Sequence, residues 1–165
     1  GCAGVMLHPT MIYGADGENN VRRIAALVRR FRFVPLPRGG RSLIQPIHVE
    51  DVAACIEAAV LGAAAPGPAI VIAGPQAVSL ADFVRAIAAA MGRRVRVLPA
   101  PAVLLYAAAW IMRLLPGLPR VRADEIRRLL EDKAFAIDDM RHRLGVEPRP
   151  LADGLAAMFS EQAMP

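Results

Sequence analysis

One segment decides the fold, and it reads Gln45-Pro46-Ile47-His48-Val49-Glu50-Asp51-Val52-Ala53-Ala54-Cys55-Ile56-Glu57-Ala58-Ala59-Val60-Leu61. A short extended piece, Pro46 to Val49, leads into a helix with Glu50 and Asp51 at its start. Carboxylates at that place face the unpaired N–H groups and the positive dipole end of the helix. Further along, apolar residues recur at the spacing of one helical face, which we expect to pack inward: Val52, Ala53, Ile56, Ala59 and Val60.

The composition is typical of a folded domain with a basic surface. The chain has 165 residues, of which 55% are hydrophobic, and carries a formal net charge of +5. All of its basic residues except Lys133 are arginines, and they are interleaved with acidic residues. Only Arg22-Arg23 together with residues 29–32 approaches a cluster. This pattern favours a solvated arginine-rich face, and a basic nucleic-acid-binding module is the alternative.

Cysteine and histidine usage indicates neither a disulfide framework nor a metal site. The chain holds two cysteines and three histidines, and their spacing matches no metal motif. We therefore expect a reducing, cytoplasmic compartment. The most apolar run, Ala102 to Leu115, is shorter than the roughly 20 residues that a membrane span needs. It predicts either a core helix or a membrane-surface helix, with Tyr106 and Trp110 on one face.

The remaining pattern is mixed α/β with few strands and several helices. Extended pieces are predicted at Val5–Leu7, Phe33–Pro37, Ala69–Ala73 and Arg94–Leu98, the last as an exposed edge. Helices are predicted at Val21–Phe31, after the Ser79-x-x-Asp82 capping box, at Ala102–Leu115, at Ala123–Asp132, after Asp138 and after Pro150. The last helix should bury one apolar face, formed by Leu151, Leu155, Met158 and Phe159.

A second motif upstream reads Leu7-His8-Pro9-Thr10-Met11-Ile12-Tyr13-Gly14. Together with the Gln45 segment, it resembles the C-terminal half of extended and atypical short-chain dehydrogenases, the NAD(P)-dependent epimerase/dehydratase family. The resemblance runs from about Val5 to Ala157. It implies an α/β chain that is the C-terminal, substrate-side part of an extended short-chain dehydrogenase Rossmann fold. Residues 1–14 would then be the last part of the Rossmann sheet, and residues 15–165 the substrate-binding lobe.

The resemblance also implies roles for individual residues. Pro9, Thr10, Met11 and Ile12 would lie at the nicotinamide end of NAD or NADP, with main-chain groups holding the carboxamide. Four further positions would line the substrate cleft: Tyr13, Asn20, Gln45 and His48. From the residues alone, the simpler interpretation is structural: Asn20 as an N-cap, His48 as a hydrogen-bonded histidine that lines the cleft, and Asp51 as a stabilising residue at the helix start.

Two departures from the family pattern bear on the substrate. His8 stands where relatives commonly have an arginine. Ile44 stands where nucleotide-sugar-processing relatives usually carry an arginine that suits a diphosphate, and an isoleucine cannot make that contact. The resemblance therefore favours the atypical branch, with a lipid-like or quinone substrate and peripheral membrane contact as an alternative to a purely cytoplasmic location.

The sequence lacks two parts that the family's chemistry needs. It has no Gly-x-x-Gly-x-x-Gly turn for a pyrophosphate, and Leu129 stands four residues before Lys133, so a Tyr-x-x-x-Lys pair is impossible. We expect no catalytic residue here, and a missing N-terminal Rossmann half as the partner. The expected function is the substrate-binding part of an NAD(P)-dependent epimerase, dehydratase or reductase, and a non-catalytic structural or assembly member is the alternative.

Overall fold

The computed structural model describes residues 4–14, 20–62, 67–101 and 132–161. In those ranges it has eight strands, which are β1 (Leu7–Pro9), β2 (Ile12–Tyr13), β3 (Phe33–Pro37), β4 (Leu43–Ile44), β5 (Ile47–His48), β6 (Ile70–Ile72), β7 (Val78–Ser79) and β8 (Arg96–Ala100). The helices described are α1 (Asn20–Arg30), α2 (Val49–Val60), α3 (Leu80–Ala90), α4 (Asp138–Leu144) and α5 (Leu151–Glu161). The predicted mixed α/β class is confirmed.

The chain divides into two compact units. The first consists of Gly1–Asn19, Gln45–Ala77 and Ala134–Pro165, and the second of Asn20–Ile44 and Val78–Lys133. Each unit is therefore assembled from separate segments of the chain, and the Ile44–Gln45 bond passes from the second unit to the first.

The first unit is built on two parallel strand pairs. Strand β1 pairs with β6, with Leu7 opposite Ile70, and β2 pairs with β5, with Tyr13 opposite His48. Helices α2 and α4 pack with β6 around one hydrophobic core. This core consists of Ile47, Val52, Cys55, Ile70, Ile72, Ala73, Ile137, Met140 and Leu144.

The strand predicted around Val5–Leu7 is less buried than a buried central strand, because Val5 and Leu7 are half-buried and Met6 is 61% exposed. Proline cannot donate a ladder hydrogen bond, which predicts that the strand changes character at Pro9. The structure agrees, because the chain changes partner after Pro9: β1 pairs with β6, whereas β2 pairs with β5.

The inward face predicted for α2 is correct for Val52, which is buried, and for Ala59, which packs against the core, but wrong for Ala53, Ile56 and Val60. The buried residues of this helix are Asp51, Val52 and Cys55, whereas Ile56 is 50% and Val60 80% exposed. Both faces of α2 are apolar, so periodicity alone could not distinguish the face that meets the sheet. The exposed face forms, with Val5 and Leu7, the wall of an apolar groove of about 500 Å³.

The second unit contains a parallel pair, β3 with β8, and an antiparallel pair, β4 with β7. The predicted capping box is confirmed, because the Ser79 hydroxyl accepts the Asp82 N–H at 3.0 Å and lies 2.6 Å from the Asp82 carboxylate. A turn at Arg38–Gly40 brings the chain against α3. Gly40 has φ of +71° and no room for a side chain, because a Cβ there would overlap Leu36 and the Ala81 main chain.

The other helix predictions have mixed outcomes. Helix α5 follows Pro150 as expected and buries Leu155 and Met158. Asp138 was predicted to cap α4, but it is the first helical residue, and Ile137 at the N-cap provides no side-chain bond. The helix predicted at Ala102–Leu115, and all but the last residue of the one at Ala123–Asp132, lie outside the described residues. No helix within the described ranges is both long enough and apolar enough to cross a membrane.

Candidate functional site

Residues Pro9 to Ile12 occupy the carboxyl end of the parallel β1–β6 pair. Pro9 and Ile12 are exposed, and Thr10 and Met11 are half-buried. In open α/β sheets, ligands bind in the crevice beyond the carboxyl ends of the strands. The four residues predicted to meet the cofactor are therefore at the edge of the sheet where a ligand is expected.

Three hydrogen bonds hold this loop in place. The Thr10 N–H donates to the Ile72 carbonyl at 3.0 Å, and the Thr10 hydroxyl donates to the Gln45 carbonyl at 2.5 Å. The Ile47 N–H donates to the Met11 carbonyl at 3.0 Å. Because both sides of the loop are bonded to neighbouring strands, its main chain has a fixed position, as a preformed binding surface requires.

Tyr13 and His48 pack against each other directly behind this loop. Their ring centroids are 5.1 Å apart at an interplanar angle of 82°, an edge-to-face contact. Tyr13 is only 2% exposed, and its burial, together with the nearby Asp51 carboxylate, raises its pKa to about 12. A tyrosine in this environment keeps its proton at neutral pH, so Tyr13 contributes a neutral phenol.

His48 has a second role as the N-cap of α2. Its Nδ1 accepts the Glu50 N–H at 3.3 Å, which satisfies one of the free donors of the first turn. The opposite edge of the imidazole lies against Gly14, whose φ is +92°. A Cβ at Gly14 would overlap the ring, so this position requires glycine for both its conformation and the space.

Gln45 links three segments of the first unit through its buried side chain. Its Nε2 donates to the Gly74 carbonyl, and its Oε1 accepts the Phe135 N–H, both at 2.8 Å. The side chain is therefore bonded to protein at both ends and is 3% exposed. The main-chain carbonyl of Gln45 accepts the Thr10 hydroxyl, so Gln45 also positions the loop. Gly74 packs directly on the Pro46 carbonyl and leaves no space for a side chain.

The sequence indicated that Asp51 complements the dipole of α2, and the structure shows a further role for this residue. It is buried, and its carboxylate accepts two hydrogen bonds from Arg149, which lies just before α5. Arg149 also bonds Glu50 at 2.6 Å. Sequence reasoning missed Arg149, because 98 residues separate it from Asp51 and no local motif marks it.

The structure thus brings together seven of the eight predicted site residues. Pro9, Thr10, Met11, Ile12, Tyr13, Gln45 and His48 all belong to the first unit. The eighth, Asn20, belongs to the second unit and is exposed at the first position of α1. Ile44 is buried in β4, opposite Val78, and offers no polar group to a ligand.

The described residues show neither a metal centre nor an activated nucleophile. No group of three or more potential ligand residues among them could hold a metal ion. Burial raises the pKa of the Cys55 thiol to about 11, with a smaller contribution from Asp51, so this thiol stays protonated at neutral pH. The arrangement can hold a ligand against the hydrogen-bonded loop from Pro9 to Ile12.

Comparison with known proteins identifies the fold. No protein-family model and no curated protein sequence matches the chain. Solved structures do match, including UDP-glucuronic acid 4-epimerase from Bacillus cereus with UDP-glucuronic acid and NAD (TM-score 0.65, 18% identity, 94% of this chain and 44% of that one). Another is dTDP-4-dehydrorhamnose reductase from Bacillus anthracis with NADP (TM-score 0.61, 16% identity, 94% and 47%).

A third match is UDP-N-acetylglucosamine 4-epimerase from Bacillus cereus, with a TM-score of 0.66 and 10% identity over 95% of this chain and 45% of that one. At such identities the likeness establishes the fold. The chain has part of the Rossmann-type fold of these epimerases and reductases, as the sequence predicted. It spans about half the length of the solved structures that it matches. The predicted cofactor, NAD or NADP, is the one bound in two of these neighbours.

Proposed function

We propose that this chain is the substrate-side half of an NAD(P)-dependent epimerase, dehydratase or reductase and acts together with a dinucleotide-binding half. The observation that carries the proposal is the exposed, hydrogen-bonded loop from Pro9 to Ile12 at the carboxyl end of β1 and β6. The fold match supports it, since the solved neighbours of about twice the matched length bind NAD or NADP.

The residues present fit one end of the cofactor. The Pro9–Ile12 loop would hold the nicotinamide end through main-chain groups, and the bound cofactor would supply hydride transfer. The sequence has no glycine-rich turn to receive a pyrophosphate, so the dinucleotide-binding half would provide that contact. This division of contacts is why the chain alone is expected to be inactive.

The surface around β1 supports a partner of this kind. Among the described strands, β1 pairs only with β6, so its other edge lacks a strand partner there. Beside that edge lies the apolar groove formed by Val5, Leu7, Ile56, Ala59 and Val60. Parallel sheets are normally buried on both faces. A further strand and a covering helix from the dinucleotide-binding half would bury this surface.

For the substrate, we assign different roles to the four predicted residues. Tyr13 and His48 pack against each other next to the loop and would shape the substrate cleft through their position. Gln45 is a positioning residue, because its amide is bonded at both ends to protein. Asn20 lies in the second unit, and its substrate contact remains a prediction from the resemblance. With Ile44 buried in place of a diphosphate-binding arginine, the substrate class is lipid-like or quinone.

The buried side chains of Tyr13, Gln45 and His48 also favour a second candidate, a structural or assembly member of the same fold that binds the cofactor without turning it over. Each of these side chains is engaged with neighbouring protein groups. The two candidates differ in turnover. The enzyme consumes NADH or NADPH when a short-chain quinone is added, and the assembly member binds the cofactor and leaves it unchanged.

The test uses the natural gene product that contains this sequence. Calorimetric titration with NADH and NADPH compares the wild type with Ile12→Asp and with the control Ala53→Asp. Ile12 is 40% exposed at the carboxyl end of the strand pair, and Ala53 is exposed on α2 outside the groove. We expect Ile12→Asp to weaken binding of the anionic cofactor at least about tenfold and Ala53→Asp to leave it unchanged. Equal affinities for all three proteins would refute the assignment of the loop.

A further inference from the structure

The charges of the chain are divided very unequally between its two units. Of the described residues, the second unit holds 12 arginines and lysines against 2 acidic residues, a formal charge of +10. The first unit holds 3 basic residues against 8 acidic ones, a formal charge of −5. The modest net charge of the whole chain hides this asymmetry, which is a signature of interaction with an anionic surface or polymer.

The second unit concentrates part of its charge at one place. Six exposed arginines from two distant segments meet where α1 ends and β3 pairs with β8, and they form what we call the arginine cluster: Arg29, Arg30, Arg32, Arg93, Arg94 and Arg96. The Arg96 N–H donates to the Arg32 carbonyl at 3.0 Å, and the Arg93 guanidinium donates to the Arg29 carbonyl at 2.9 Å. The fold therefore creates a cluster that neither segment forms alone.

Exposed apolar side chains adjoin this cluster. Phe33 is 52%, Leu98 45% and Phe31 38% exposed. In the parallel register, Phe33 lies opposite Arg96 and Pro35 opposite Leu98, and residues in register point to the same side of a sheet. All four of these residues are exposed. We call Phe31, Phe33, Pro35 and Leu98 the apolar patch.

The details of the patch favour lipid over nucleic acid. The Phe31 and Phe33 rings are 6.2 Å apart and tilted by 44°, so they do not form a parallel platform for stacked bases. Leu98 and Pro35 are aliphatic and suit acyl chains. The segments 29–35 and 93–98 hold no asparagine, glutamine, serine or threonine that could read a base edge. An exposed apolar patch beside a cluster of arginines matches the interface of an anionic bilayer.

We propose that the arginine cluster and the apolar patch form a peripheral membrane-binding surface for anionic phospholipids. The arginines contact lipid phosphates while the apolar patch inserts between the headgroups. This inference goes beyond the proposed function and does not depend on it, since it concerns the second unit and involves no cofactor residue.

The first test needs no variant. The natural gene product is floated with phosphatidylcholine vesicles, with and without phosphatidylserine, at low and high salt. We expect binding only to the vesicles that contain phosphatidylserine, and weaker binding at high salt because ions screen the attraction. Equal recovery with both kinds of vesicle, or no binding to either, would overturn the proposal.

Variants then locate the surface. Reversal of charge in Arg94→Glu/Arg96→Glu should weaken binding by at least on the order of tenfold, since each arginine near an anionic surface contributes appreciably. Phe33→Ser should weaken binding roughly tenfold through lost apolar burial. The charge-preserving Arg94→Lys/Arg96→Lys should bind like the wild type. Arg41→Glu is the matched control, because Arg41 is exposed in the same unit outside the cluster.

Two results would contradict the location or the ligand class. If Arg41→Glu weakens binding as much as the double reversal, net charge alone explains the effect. If single-stranded RNA binds more tightly than the vesicles, and Leu98→Ser leaves that binding unchanged, the surface recognises nucleic acid instead. Circular dichroism of each variant checks that it is folded. If a variant is unfolded, the test with the wild type and the two kinds of vesicle still decides the proposal.

Discussion

Arg149 donates two hydrogen bonds to the carboxylate of Asp51, from its main-chain N–H at 3.1 Å and its side-chain Nε at 2.9 Å. The Asp51 side chain is 8% exposed, and that of Arg149 is 33% exposed. Arg149 also contacts Glu50 at 2.6 Å. The pair ties the beginning of α5 to the beginning of α2, directly beside the cap provided by His48.

Loss of this pair should destabilise the chain. We expect Asp51→Ala to lower the free energy of unfolding by roughly 2 kcal/mol, because it leaves the main-chain N–H and the Nε of Arg149 without their acceptor. Glu57→Ala is the control, since Glu57 is exposed on the same helix. Urea denaturation measures both. The assignment fails if the two substitutions cost the same.

The local features of this fold could be predicted from the sequence, and the long-range ones could not. The Ser79–Asp82 cap and the buried face of α5 depend on residues within one or two helical turns. The partner of Asp51 lies 98 residues away, so no spacing rule reveals it. The full buried face of α2 could not be predicted either. Which side of this apolar helix is buried depends on the neighbouring elements that pack against it and not on its own sequence.

Two buried groups should make stability fall in alkaline solution. Burial raises the pKa of Tyr13 from 10.0 to about 12 and that of Cys55 from 9.0 to about 11, with smaller contributions from Asp51. The unfolded chain then loses these protons at lower pH than the folded chain. Stability should therefore be fully present below pH 9 and decline from there to about pH 12.

Denaturation midpoints measured across this pH range, for the wild type and for Tyr13→Phe/Cys55→Ala, test that expectation. The double variant should show a clearly shallower decline, because neither substituted residue can titrate. Parallel curves for the two proteins would show that other groups cause the loss.

Gly154 on α5 should tolerate no side chain. A Cβ at this position would overlap the Tyr13 hydroxyl, and the ring carbon Cζ would be only 3.0 Å away. We expect Gly154→Ala to cost about 1–3 kcal/mol through overpacking. Adding Tyr13→Phe should recover part of the loss because it removes the nearest atom. Gly4→Ala, which meets nothing within 4 Å, is the control. Additive costs in the double variant would contradict this contact.

The apolar groove should make the isolated 165-residue chain self-associate. Sedimentation velocity over a range of concentrations should show reversible oligomers. The edge of β1 that no described strand covers, and the exposed Ile56 and Val60, can pair with a second copy. Ile56→Lys should shift the chain toward monomer. Ala53→Lys is the matched control on an exposed site of α2 outside the groove. A wild-type monomer independent of concentration would rule this out.

Much of the candidate site could likewise be predicted, but only its outline. The two motifs lie in one unit because Ile12 and Tyr13 of the first motif form β2, which pairs in parallel with β5 of the second motif. The partners of Gln45, which are the carbonyl of Gly74 and the N–H of Phe135, are main-chain groups. Almost every residue has the same main-chain groups, so residue types cannot show which of them bonds Gln45. These hydrogen bonds can be recognised only once the fold is known.

The most direct test of the central claim compares cofactor affinity of two proteins. NADPH and NADH are titrated into the isolated 165-residue chain and into the natural gene product that contains it, with calorimetry as the readout. The account predicts no measurable binding to the isolated chain, which lacks a pyrophosphate cradle, and micromolar or tighter binding to the natural gene product. Micromolar binding to the isolated chain, or none to the natural gene product, would contradict it.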